Sequence, residues 1–234
     1  MEQMRERVIV ALDAPGRDQA LRLVEAIGDH GVFYKVGLEL YIAAGDAVLA
    51  DLRAAGKKVF LDLKLFDIPN TVRGAAGCVA GKGAALATVH ALGGAAMMRA
   101  AREGADAAGG QTRLLGVTIL TSLDEETLRS ELHIQRSIPF LVPDLALRAR
   151  AAGLDGVVAS GLELPLLRER LGDEFLIVTP GIRPAGGDVA DQKRVLTPRQ
   201  AFERGASYIV VGRPITGAPD PRAAFLDIVE QAGG

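Results

Sequence analysis

The chain of 234 residues contains one cysteine and no tryptophan. A lone Cys78 cannot close an internal disulfide or supply a multi-thiolate zinc site. Aromatic residues make up only 4%, too few to suggest stacking platforms for single-stranded nucleic acid. An excess of one charge is missing as well. Lys and Arg number 27, Asp and Glu 29, and the net charge is −2. A nucleic-acid or acidic-membrane partner held by bulk charge is therefore not expected. No apolar run approaches the roughly 20 residues of a membrane span. The opening Met1–Arg7 is mixed in charge and precedes only a short apolar run, unlike a secretion signal. The expectation is a cytoplasmic protein without membrane attachment.

What is present is alternation. Short β-branched runs occur at Val8–Leu12, Val32–Val36, Val59–Leu63, Ala87–His90, Leu114–Leu120, Gly156–Ala159, Phe175–Val178 and Tyr208–Val211. Helical patterns separate them. Ala20, Leu23, Val24 and Ile27 share one face of the first, and a second spans roughly Glu39–Ala55. Others run on from about Thr71, follow Gly94 and Asp124, and cover Val142–Ala151. Ser160-Gly161-Leu162-Glu163 fits a capping box, while Thr197-Pro198 and Asp220-Pro221 each place a capping residue before a first-turn proline. Near-continuous apolar strands imply a parallel sheet covered on its outer face. Eight strand–helix units without a linker predict an α/β fold, a single (β/α)8 TIM barrel over residues 1–234. The alternative, an open doubly wound sheet, calls for a glycine-rich turn after the first strand, and Asp13-Ala14-Pro15-Gly16 is not one.

In such barrels the active site lies at the C-terminal ends of the strands. Polar residues gather there: Asp13, Lys35, Asp62, Lys64, Asp67, His90, Thr121, Ser122, Arg183 and Arg213. Asp62 and Lys64 stand two apart on an extended segment, so both are expected on one face. Interior charges are costly unless paired, so Asp13, Lys35, Asp62, Lys64 and Asp67 are expected to form an alternating cluster. The plainer readings are a structural ion network and, for Asp13, a turn residue before Pro-Gly. Gly212, Arg213 and Arg183 suit an anion on the loops after the seventh and eighth strands. They also suit an ordinary glycine turn with solvated arginines. Residues Pro184–Lys193 read equally as a lid or a plain surface loop. His90 reads as a structural group at least as readily as a catalyst. His30 and His133 are expected in solvent, Cys78 buried as a small hydrophobe, and Met97-Met98 in the core.

The segment Asp62-Leu63-Lys64-Leu65-Phe66-Asp67-Ile68-Pro69-Asn70-Thr71 resembles the signature of the orotidine 5′-phosphate decarboxylase family, of the type D-x-K-x-x-D-I-P-N-T. Further similarities follow in order: Val10–Asp13, Lys35-Val36-Gly37, Leu120-Thr121-Ser122, Thr179–Arg183, Asp191–Arg194 and Val211–Thr216. The ten-residue signature is specific, whereas its D-x-K-x-x-D core is shared with sugar-phosphate relatives.

The resemblance implies a decarboxylase that uses neither cofactor nor metal and converts orotidylate to uridylate, the last step of pyrimidine synthesis. It implies a homodimer with shared sites. By position, Lys64 would protonate C6, Asp62 would face the reacting carboxylate, and Lys35 would orient Asp62 and touch the ribose. Asp67 would enter the neighbouring subunit's site. Asp13 would bind ribose hydroxyls and Thr121, rather than Ser122, the pyrimidine. Arg183, Gln192, Gly212 and Arg213 would bind phosphate, and Ile68, Thr71 and Pro180 complete the expected contacts. Two alternatives compete: a magnesium-dependent sugar-phosphate aldolase or decarboxylase, and a non-catalytic phosphate-ligand barrel.

Overall fold

The alternating pattern closes on itself. In the computed structural model, which describes residues 2–109, 111–184 and 196–233, eight parallel strands pair in sequence order and the last pairs with the first. They are β1 (Val8–Leu12), β2 (Phe33–Gly37), β3 (Lys58–Leu65), β4 (Leu86–His90), β5 (Arg113–Val117), β6 (Gly156–Val158), β7 (Leu176–Thr179) and β8 (Tyr208–Val211). Side chains alternate across each strand. One set, comprising Ile9, Ala11, Phe33, Phe60, Leu86, Leu115, Val178 and Val210, packs together as the barrel interior. The other set packs outward against the helices in a larger core.

This alternation carries the charges inward. Two residues beyond Ala11, Phe33, Phe60 and Leu86 stand Asp13, Lys35, Asp62 and Thr88. The interior is thus an apolar plug below and a polar layer above, on the β1–β4 side. On the β5–β8 side the cavity at the mouth is lined by apolar residues, Val117, Ile119, Val158 and Pro180, with Val210 of the plug beneath them.

Several local expectations require correction. The helix expected across Glu39–Ala55 is two, Leu38–Ala44 and Asp46–Ala54, because Gly45 takes φ +57°, a conformation open to glycine and strained for other residues. Ser160 makes no capping box. Its Oγ accepts from the Leu162 amide, and the helix begins only at Leu164, with Pro165 in its first turn. A capping box does form at Thr197, whose Oγ1 accepts from Gln200 N while Gln200 Oε1 accepts from Thr197 N. Cys78 is exposed, since helix Pro69–Gly81 turns Val72, Ala76 and Val79 inward instead. His30 is half-buried in a short 3-10 turn, and its Nδ1 lies out of solvent without a hydrogen-bond partner. Met97 and Met98 are buried, as their helical spacing predicts.

Candidate active site

Lys64 is the unusual residue of β3. Its φ is +51°, one of two positive values outside glycine among the described residues. β3 and β4 pair as Leu61 with Ala87 and then as Leu65 with Val89. Three residues, Asp62 to Lys64, therefore stand opposite Thr88 alone. The extended geometry expected for Asp62-Leu63-Lys64 is replaced by a bulge, which aims a strand-end side chain differently from a regular ladder. The two charges still converge: Lys64 Nζ donates to Asp62 Oδ2 at 2.8 Å.

Asp62 is buried, and burial of a carboxylate is tolerable only with good donors. It has two, with a second ammonium close by: Thr88 Oγ1 donates to Oδ1 at 2.9 Å, Lys64 Nζ donates to Oδ2, and Lys35 Nζ lies 3.8 Å from Oδ2 as an ion pair. Lys35 also donates to Asp13 Oδ1 at 3.0 Å. The result is an alternating row, Asp13–Lys35–Asp62–Lys64, running from exposed to buried and back toward the mouth. The row faces a cavity of about 190 Å³ whose opposite wall is apolar and includes Leu120, Thr121 and Ala159. Thr88 was not singled out in the sequence; its signal is a hydroxyl in an otherwise apolar run, at the interior register of β4.

His90 ends β4. Its ring stacks on Phe66 with centroids 5.3 Å apart and planes 24° from parallel. Its Nδ1 accepts from Leu92 N at 3.3 Å. Burial first, then the Lys64 ammonium, hold its pKa below the usual imidazole range, which suits a neutral ring with a backbone-anchoring role.

The other expected residues divide. Thr121 and Pro180 line the cavity. Asp67, Ile68 and Thr71 are exposed on the segment after β3 and line no part of it. Asp67 Oδ1 accepts from Ile68 N at 2.6 Å, and the carboxylate makes no ion pair among the described residues. Gly212 follows β8 and lies against Asp13, since a Cβ there would stand 3.5 Å from Asp13 Oδ2. Arg213 begins the short helix Arg213–Thr216. Arg183 follows β7, tied to Leu196 by its backbone amide, with Nη1 donating to Ile182 O. Ser122 is exposed. Gln192, with most of the Pro184–Lys193 loop, lies outside the described residues. Among the described residues, no group of three or more His, Cys, Asp or Glu side chains is placed to hold a metal ion.

A sequence model of the Orotidine 5'-phosphate decarboxylase / HUMPS family matches residues 6–228. The chain belongs to that family. Among curated relatives, the orotidine 5'-phosphate decarboxylase of Moorella thermoacetica is 50% identical over 232 residues, covering 97% of this chain and 92% of the relative. That of Nitrosococcus oceani is 48% identical over 224 residues, covering 96% of each. The crystal structure of orotidine 5'-phosphate decarboxylase from Lactobacillus acidophilus superimposes with a TM-score of 0.88 at 45% identity, covering 97% of this chain and 99% of that one. In this structure Asp62 and Lys64 of the D-x-K-x-x-D segment belong to the four-charge row, and Asp67 stands outside it.

Proposed function

We propose that this protein decarboxylates orotidine 5′-phosphate to uridine 5′-phosphate, using its own side chains. The carrying observation is the Lys64 ammonium, held 2.8 Å from a buried carboxylate at the edge of a half-apolar cavity. Breaking the bond between C6 and the carboxylate leaves an electron pair in the plane of the pyrimidine, where the π system stabilises it poorly. A fixed ammonium beside C6 stabilises that charge as carbon dioxide departs, then delivers its proton to C6. The charge row orders the ammonium beforehand, so little reorganisation is needed at the moment of reaction. Asp62 faces the reacting carboxylate in this arrangement.

The remaining residues are assigned by chemistry and place. Asp13 and Lys35 take ribose hydroxyls. The apolar wall with Thr121 and Pro180 takes the pyrimidine. Gly212, Arg213, Arg183 and Gln192 take the phosphate, whose binding energy helps assemble the site around the reacting carbon. Ile68 and Thr71, with Asp67, act across a homodimer interface. Exposed Leu38 and Ile42 on helix Leu38–Ala44, and exposed Phe66 and Ile68 flanking Asp67, support that reading: large apolar groups left exposed on the segments that follow β2 and β3 suit burial against a second copy. No described helix is long and apolar enough to cross a membrane, and a cytoplasmic location completes the proposal.

The test is an assay of the EDTA-treated protein with orotidylate, following loss of orotate absorbance. Full activity without added metal is expected. Turnover of a sugar phosphate that requires magnesium, with none of orotidylate, would favour the aldolase alternative. Binding of the nucleotide without turnover would favour the non-catalytic one.

A further inference from the structure

We infer that Thr88 is the positioning residue that holds Lys64 and Asp62 in their reactive arrangement; the inference rests on the decarboxylase reading. Thr88 is 1% exposed and sits at the interior register of β4, two residues above Leu86. The pairing of β3 with β4 jumps at this point, leaving Thr88 as the one β4 residue opposite Asp62, Leu63 and Lys64. Its hydroxyl is used twice. It accepts from Lys64 N at 2.9 Å and donates to Asp62 Oδ1 at 2.9 Å.

Both bonds address a specific problem. The left-handed backbone of Lys64, φ +51°, is unfavourable for a residue with a Cβ and persists only where surroundings over-determine it. In the bulge the Lys64 amide has left the regular ladder, and a buried amide without a partner is costly. Thr88 Oγ1 supplies that partner. By donating to Oδ1, the same hydroxyl orients the carboxylate so that Oδ2 faces Lys64 and Lys35. One oxygen thus fixes the backbone of the proton donor and the rotation of its counter-ion. With its single O–H committed to Asp62 and a lone pair of the same oxygen committed to the Lys64 amide, it orders these two groups relative to each other. A valine has the shape to replace it and neither bond.

The experiment measures kcat and KM on orotidylate, thermal midpoint, and hydrogen exchange at the Lys64 amide. Thr88→Val is expected to lower kcat by about 10- to 100-fold, the scale of loss when a group that orients a metal ligand is removed, taken here for a group that orients an ammonium and its counter-ion. KM should change little, because the residue does not touch the phosphate or ribose contacts. Thr88→Ser restores the oxygen and should recover most of kcat. Thr112→Val is the control. It removes a buried hydroxyl bonded to Ala84 O at 2.7 Å, at the far end of the barrel, and should lower the thermal midpoint while leaving kcat unchanged. Should Thr88→Val fail to fold, Thr88→Cys against Thr88→Ser asks the same question by exchanging sulfur for oxygen, with the cysteine variant the slower. The Lys64 amide should be protected from exchange in the wild type and lose protection in Thr88→Val, whatever reaction the enzyme catalyses. Wild-type kcat in Thr88→Val, a serine variant as impaired as valine or cysteine, or unchanged Lys64 protection would overturn the inference. Absence of orotidylate turnover in the wild type would instead overturn the reaction assignment, leaving amide exchange to judge Thr88.

Discussion

His90 shows how a side chain's surroundings settle a choice that residue type leaves open. Stacked on Phe66 and accepting from Leu92 N, it is held below the usual imidazole pKa by burial and, second, by Lys64. The unfolded chain therefore binds a proton here at a higher pH than the folded chain. The stability this neutral ring provides is complete above the ordinary value of about 6.5 and is lost as pH falls from there through the lower folded value. Asparagine can accept the same amide hydrogen but does not titrate. Thermal midpoints of His90→Asn should accordingly fall less between neutral and mildly acidic pH than those of the wild type; an identical fall would remove His90 as a source of acid sensitivity. The charged side chains were legible in the sequence because they interrupt apolar runs at strand ends. Thr88 was not, since a threonine is at home in any strand and only the irregular register gives its hydroxyl two partners.

Helices Pro69–Gly81 and Gly94–Ala107 cross at a distance that only glycine permits. A Cβ on Gly104 would lie 2.0 Å from Arg73 O, and one on Gly77 would lie 3.1 Å from Gly104 O. Backbone meets backbone directly behind β3 and β4, which carry Lys64 and Thr88. Gly104→Ala must push the helices apart. It should cost about 2–3 kcal/mol, lowering the thermal midpoint by about 5–10 °C in a chain of this length. An unchanged midpoint in thermal unfolding would contradict the close crossing. The strands were legible because β-branched runs repeat at even intervals, and so were the caps at Thr197 and Asp220, where a proline fixes the first turn. The false cap at Ser160 has the right letters, but the chain turns at Leu162 first. Gly45 divides a helix whose apolar spacing runs unbroken across it. Periodicity reports which face is buried, and a left-handed residue leaves that spacing intact while redirecting the axis.

At the scale of the molecule, closing eight strands in register is what turns scattered letters into a site: Asp13 and Asp62 are 49 positions apart and share Lys35 between them. The barrel does the same for the apolar wall, drawn from β5 to β8. Asp67 lies outside this row, and the shared-site dimer proposed above would give it a place in the neighbouring subunit. Lys64→Ala and Asp67→Asn homodimers should each be severely impaired. After free subunit exchange, half the dimers are mixed, each with one doubly altered and one intact site, so about a quarter of all sites should regain activity. No recovery despite demonstrated exchange of folded dimers would place both residues in one subunit's site. The central claim, that the Lys64 ammonium delivers the proton without help from a metal, is tested most directly by comparing EDTA-treated wild type and Lys64→Ala on orotidylate, with uridylate binding as the check on folding. The account predicts full wild-type turnover, a loss of about 10⁴-fold or more in the variant, and retained uridylate binding in both. Near wild-type turnover by a folded, uridylate-binding Lys64→Ala protein would contradict it.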